Sequence, residues 1–276
     1  SKHRSPMGAA YQRVAQAWFV AEERHAYGSR RRGRVIAVSH GTARELHEHY
    51  RVPMERISVV PNGVVHARVR RAVGAASRRA LRERLGLPSS ALLALFVGGD
   101  WERKGVRDAI GAIGAVPDAQ LVIVGRGDRA AMLAHAARAG AAGRVHVVAP
   151  TPAPEDYYAA CDLFLFPSRY EAFSLVTLEA AASGLPIVCH PINGTEELIV
   201  DDVNGWLVPF GPEALSARVM QLRDDAALRA RMAAAALASS RRYAWDRVAD
   251  EYFAVLDAAA GMGGGARVGA AVEGSR

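Results

Sequence analysis

Cysteine is nearly absent. Cys161 and Cys189 are the only two in 276 residues, and both lie inside apolar runs. So few argue against a disulfide framework, and a reducing, cytoplasmic setting is expected. Lysine is equally scarce: Lys2 and Lys104 stand alone among 35 basic residues. No run of about 18 apolar residues occurs, so no membrane-spanning helix is expected. The polar start lacks the apolar stretch of a signal peptide. No His, Asp or Cys cluster has metal-ligand spacing, and Asp201–Asp202 and Asp224–Asp225 read as loop and cap acids, so no metal is expected.

What is plentiful is apolar material, at 50% of residues, enough for a sizeable core in one large or two modest domains. Charge is uneven. Residues 1–84 hold 18 Lys and Arg against 6 Asp and Glu, or +12; the remainder holds 17 against 22, or −5. A basic face for an anionic partner follows, with a peripheral contact to an anionic membrane as one form of it. Compositional bias toward arginine explains the same count. No aromatic-interleaved basic motif supports nucleic acid as the partner.

The pattern is helical at the start, where Tyr11, Val14, Ala15, Trp18 and Phe19 recur at three- and four-residue steps. A strand is predicted at Arg34–Ser39, followed by a helix that Ser39 or Thr42 would cap. "RISVVPNGV" reads as a short strand ending in an Asn-Gly turn, and residues 66–76 as a basic connection. Strands follow at Leu92–Val97, Gln120–Val124, Val145–Val148, Asp162–Phe166 and Pro186–Cys189. Helical patterns separate them at Val106–Gly114, Arg129–Ala139, Pro154–Ala160 and Leu175–Ser183. Continuous apolar strands alternating with helices predict a parallel sheet covered on both faces. A helical pair at 212–241 and "YAWDRVADEYFAVLDAAA" close the chain, before a Gly/Ala-rich tail from Gly261 that is expected to be disordered.

Ligands of open α/β sheets bind beyond the carboxyl ends of the strands. Those ends are "VGGDWERKG", "VGRGD", "APTPAPED", "FPSRYEAFS" and "HPINGTEE". In the first, Gly98 and Gly99 let the backbone turn, and Arg103 and Lys104 can clamp a diphosphate. A solvated charged loop fits the same residues. Gly125 in "VGRGD" belongs to a lone GxG, which can approach a nucleotide or simply form a tight turn. In the fourth, a helix beginning near Ser174 offers its free amides, with the dipole behind them, as an anion seat. Glu171 before the seat and Glu179 one turn into the helix both suit hydroxyl-rich ligands, sugar and ribose respectively. Read plainly, Glu179 is a favourable helix-start charge and Glu171 a surface acid. His40, His47 and His49 read as surface residues.

The Glu171–Glu179 spacing resembles the E-x7-E motif of retaining nucleotide-sugar glycosyltransferases of the GT-B group called family 4. "AVSHGTAREL", "VVPNGV", "GGDWERKG", "LVIVGRGD", "CDLFLFPSRYEAFSLVTLEAAASGLPIV" and "NGTEELIVDDVNGWLV" match in the same order, over roughly residues 34–210. The "GGDWERKG" form looks most like the lipopolysaccharide-core glucosyltransferases of that group. The resemblance implies an α/β fold of GT-B type: a complete Rossmann-like donor domain, 68–243, beside a partial N-terminal, acceptor-side domain, 1–67. A helix at 244–260 would pack back toward the N-terminal part. Relative to the group, the N-terminal domain starts about a hundred residues in.

It further implies transfer of a sugar from a nucleotide diphosphate, UDP favoured over GDP, to an acceptor hydroxyl with retained configuration. The setting would be envelope glycan or glycolipid synthesis, the acceptor a glycan or lipid-linked hydroxyl. Arg103, Lys104 and Glu171 would be catalytic. Donor contacts would come from these three with Gly98, Gly99, Gly125, Ala172, Phe173, Ser174, Leu175, Val176 and Glu179. No cofactor is implied beyond the donor. A catalytically incomplete nucleotide-sugar-binding module and a two-carboxylate glycoside hydrolase are the alternatives.

Overall fold

The computed structural model describes residues 6–28, 33–70, 75–87 and 90–261. The predicted tail lies outside them, apart from Gly261. Two layered units emerge. The smaller contains α1 (Pro6–Gly28), β1 (Val35–Ala37), α2 (His40–Tyr50) and β2 (Ile57–Val59), with β1 and β2 pairing in parallel. Ala37, Ala43, Leu46 and Val52 form its core. Strand β1 is shorter than the predicted Arg34–Ser39 because Ser39 leaves the ladder to cap α2, its hydroxyl accepting from Thr42 N at 3.0 Å.

The predicted connection at 66–76 instead holds parts of two helices, α3 (His66–Arg70) and α4 (Ala75–Arg84). Arg82 of α4 is buried and, with Arg78, pairs with Asp162 beneath the sheet. A run dense in arginine reads as solvated in sequence, and this buried carboxylate is what draws it inward.

The larger unit follows in βα alternation: β3 (Leu92–Val97), α5 (Val106–Gly114), β4 (Ala119–Val124), α6 (Arg129–Arg138), β5 (Val145–Val148), α7 (Glu155–Ala160), β6 (Leu163–Phe166), α8 (Leu175–Ala182), β7 (Ile187–Cys189), α9 (Thr195–Leu198) and β8 (Gly205–Leu207). All neighbouring strands run parallel, in the order β5-β4-β3-β6-β7-β8. Strands β3 and β6 are buried at every position, the reason their sequences show no alternation. Helices α10 (Pro212–Asp224), α11 (Ala226–Ser240) and α12 (Trp245–Ala260) complete the chain. Asp225 caps α11, its side chain accepting from Leu228 N at 2.8 Å. The start of helix α12 meets the segment after β2: Val64 bridges Ala244, and a Cβ at Gly63 would run into the Trp245 ring.

The order reverses between β3 and β6. The chain leaves β3 toward one side of the sheet and β6 toward the other, which opens a crevice at the carboxyl ends of these two strands. The loops entering it are "GGDWERKG" and "FPSRYEAFS".

Candidate active site

The two loops are knitted together by glycine. Gly105 is left-handed, at φ 70°, and a Cβ there would lie 2.0 Å from the Pro167 carbonyl oxygen. Only a residue without a side chain allows that approach. The Arg169 amide then donates to the Arg103 carbonyl at 3.0 Å.

This closeness brings the two predicted cations onto one atom of the predicted Glu171, with Ser168 as a third donor. Glu171 Oε1 accepts from Lys104 Nζ at 2.7 Å, from Arg103 Nη1 at 3.1 Å and from the Ser168 hydroxyl at 3.1 Å. Lys104 also lies over the Phe166 ring, 4.9 Å from its centroid. Arg103 is held on a second side by Asp100 at 2.9 Å, and on a third by the Tyr170 carbonyl. Its guanidinium pKa is raised: burial acts to lower it, and the Asp100 and Glu171 carboxylates together outweigh that. Among the described residues nothing bonds Glu171 Oε2.

The helix start lies further along the same loop. Ser174 caps α8, with Thr177 N donating to its hydroxyl. No backbone bond from the amides of 173–176 occurs among the described residues. Phe173 turns its ring into the core against Tyr243, at 5.9 Å, so only its backbone can meet a ligand. The Ala172 carbonyl is held from the smaller unit by Thr42 at 3.0 Å and Ser39 at 2.8 Å.

Glu179 sits deeper. Tyr158 donates to its Oε2 at 3.0 Å. Burial raises the Glu179 pKa, while the Tyr158 hydrogen bond and the charge of Arg68 act to lower it.

Two cavities line this edge. One, of about 460 Å³, is walled by Gly98, Gly99, Gly125, Asp100 and Pro154. The other, of about 200 Å³, is walled by Leu175, Glu179, Tyr158, Arg68 and Trp245, and it also includes Pro154. The predicted residues thus fall into three adjoining patches, not one pocket. Arg103, Lys104 and Glu171 line neither cavity. Lys104 packs against Gly98 of the first cavity, where a Cβ would lie 2.6 Å from Lys104 Cδ. Ser168, Gly105, Tyr158 and Arg68 join the predicted set. Ser168 and Tyr158 adjoin or fall within quoted motifs, but a lone serine at a strand end and an aromatic in a short helix carry no mark of a ligand role in sequence. His40 bonds Glu197 at 3.0 Å, and His47 bonds the Val52 carbonyl at 2.9 Å.

The profile of the family described as Glycosyl transferases group 1 matches residues 77–238. The chain belongs to that family. Residues 3–68 match a second profile, Glycosyltransferase Family 4. A D-inositol 3-phosphate glycosyltransferase of Xylanimonas cellulosilytica is 37% identical over 228 residues, covering 78% of this chain and 54% of that protein. One from Thermobispora bispora is 35% identical over 245 residues, covering 81% and 56%. The chain therefore spans a little over half the length of these relatives. Among solved structures, WaaG, a glycosyltransferase involved in lipopolysaccharide biosynthesis, superposes with a TM-score of 0.76 at 26% identity, covering 89% of this chain and 67% of WaaG. Anabaena Alr3699/HepE in complex with UDP gives 0.76 at 23% identity, over 82% and 64%, a likeness of fold. The α/β architecture is of the GT-B type, with a complete Rossmann-like sheet.

Proposed function

We propose that this chain carries the donor site of a retaining glycosyltransferase, moving a sugar from a UDP-sugar to an acceptor hydroxyl. The carrying observation is the convergence of Arg103, Lys104 and Glu171 at the β3–β6 crevice, beside an uncommitted helix start. Leaving-group departure builds negative charge on a diphosphate. Two cations and a row of backbone amides, already oriented, stabilise that charge without reorganising. Glu171 Oε2 takes a sugar hydroxyl and Glu179 the ribose, while the glycine-walled cavity takes the base. Gly98, Gly99 and Gly125 let that base approach the backbone.

Support for UDP comes from the fold shared with the UDP-bound HepE structures. For the acceptor, the likeness to WaaG favours an envelope glycan or glycolipid, and the basic N-terminal region favours a peripheral anionic membrane contact. A second reading has its own observation: relatives at 37% and 35% identity are D-inositol 3-phosphate glycosyltransferases, which favours a polyol phosphate acceptor. A hydrolase is disfavoured, because Glu179 lines a cavity that Glu171 does not, and such enzymes need both acids flanking one bond.

The test is calorimetric titration with UDP, then incubation with radiolabelled UDP-sugars and either lipid-linked glycans or inositol 3-phosphate. Binding with transfer to either acceptor class supports the proposal and chooses between them. Binding without transfer marks a nucleotide-sugar-binding module. No UDP binding overturns the donor site.

A further inference from the structure

Tyr158 is the side chain that the reading above leaves without a task. Its ring is 1% exposed and packs against Phe164, with centroids 5.9 Å apart. A phenylalanine would fill that space, and a buried hydroxyl is costly unless it is bonded. The hydroxyl has one proton and two acceptors in reach, Glu179 Oε2 at 3.0 Å and the Val176 carbonyl at 3.3 Å. The carboxylate is nearer and charged, so it takes the proton.

A glutamate near the start of a helix normally swings about three side-chain bonds. Here one carboxylate oxygen is pinned from α7, the other has no hydrogen-bond partner among the described residues, and Glu179 lines the second cavity. We propose that Tyr158 is a positioning residue: by holding Glu179 Oε2 it fixes Oε1 in the orientation that reads a ribose hydroxyl of the donor. This rests on the donor-site reading, in which Glu179 meets the ribose.

The surroundings favour such a device. The titratable and charged groups that face Glu179 are Tyr158 and Glu155 from α7 and Arg68 from α3. Arg68 is itself drawn to Glu155, at 3.3 Å. Among the described residues Tyr158 is therefore the one group that bonds the carboxylate directly, orienting it while acting against the burial that raises its pKa. Removing its hydroxyl frees the rotor and lets the carboxyl hold its proton to higher pH.

The experiment compares the wild type with Y158F by calorimetry, using UDP, 2′-deoxy-UDP and 3′-deoxy-UDP from pH 5 to 8. The expected result is a loss of about ten-fold in UDP affinity for the variant, the size of a hydrogen bond to a charged group. One deoxy analogue, the one lacking the hydroxyl that Glu179 reads, should bind both proteins about equally. The acid-side fall in UDP affinity should move to higher pH in Y158F. In an E179A background, Y158F should have no further effect on UDP binding. Equal affinity of both proteins for UDP, or equal loss for all three nucleotides, overturns the inference and leaves the donor site standing. Failure of the wild type to bind UDP removes the donor site and this inference with it. Ratios between nucleotides are internal to each protein, so a fall in folded fraction does not imitate the result.

Discussion

Lys104 Nζ lies 2.7 Å from Glu171 Oε1, and each side chain is only 13% exposed. One of the chain's two lysines thus occupies a half-dry pair at the mouth of the sheet crevice. The ammonium has three protons and gives one to Glu171, so others remain for a phosphate oxygen. Lys104→Ala should lower kcat by about a hundred-fold or more, the usual cost of removing a charge-stabilising donor. Lys104→Arg should restore little, since a larger planar fork cannot keep the 2.7 Å contact to Glu171 in a place where both side chains are only 13% exposed. Arg103, at 38% exposure and shared with Asp100, should lose less as alanine. Steady-state kinetics on a UDP-sugar checks all three; an arginine variant that works as well as wild type contradicts this account.

The glycines separate stability from function. At Gly125, φ is 154° and a Cβ would lie 1.9 Å from the Gly98 carbonyl oxygen, a backbone atom. Gly125→Ala should therefore destabilise by roughly 1–3 kcal/mol. At Gly98, φ is 151° and a Cβ would meet the flexible stem of Lys104. Gly98→Ala should cost less stability for its loss of UDP affinity, because Lys104 is what yields. Thermal unfolding beside calorimetry distinguishes the two, and equal ratios of lost stability to lost affinity would refute the distinction.

Asp162 is the ionic anchor of the sheet. It is 8% exposed, accepts from Arg82 at 3.0 Å and from the Leu93 amide at 2.8 Å, and pairs also with Arg78. Breaking a buried pair strands a charge, at about 3–5 kcal/mol. Asp162→Ala should lose that much by denaturant unfolding, and Arg78→Ala, at the exposed end, much less. Similar losses from both would show that burial does not set the ranking.

How much of this was legible depended on periodicity. The strands β3 to β7 and the helices α5 to α8 were readable because apolar runs and turn residues alternate there. Helix α4 was not, since Arg78, Arg79, Arg82 and Arg84 look solvated and Asp162, some 80 residues on, decides otherwise. Strand β8 went unread although it is no shorter than β7, because the Asn204–Gly205 pair at its start reads as a turn. Arg103, Lys104 and Glu171 were each singled out in the sequence as ligand groups; their pairing with one another was not, because the close approach of the two loops at Gly105 sets it. The split of the remaining donor residues between two cavities was not legible either, because how the loops pack around Pro154, which both cavities share, is a matter of three-dimensional approach.

Glu45 joins the two units. Its carboxylate accepts from Asn193 Nδ2 at 2.8 Å and from the Tyr170 hydroxyl at 3.0 Å, and Tyr170 immediately precedes Glu171. Glu45→Ala should loosen the loop that carries Glu171, raising amide hydrogen exchange at residues 169–173 while leaving the β3–β6 core protected. Unchanged exchange in that loop would mean that the Ser39 and Thr42 contacts to the Ala172 carbonyl suffice.

The raised pKa of Glu179 makes a prediction about the protein without ligand. Burial is its main cause, so the carboxyl prefers its proton in the folded state more than in the unfolded chain. From about pH 4.3, where an unfolded glutamate ionises, up to the raised native value, the folded state holds a proton that the unfolded state has released. Stability then falls as pH rises through this window and stays lower above it. Glu179→Gln keeps an acceptor for Tyr158 and removes the charge. The variant should melt at the same temperature as wild type below the window and at a higher one above it, with the gap opening as pH rises. If Glu179 reads the donor ribose as proposed, the variant should also bind UDP more weakly, since a stabilising change at such a residue sacrifices function. Scanning calorimetry across pH 4 to 8 checks the sign: a gap that is constant, or that closes toward neutral pH, contradicts a carboxylate destabilised by burial.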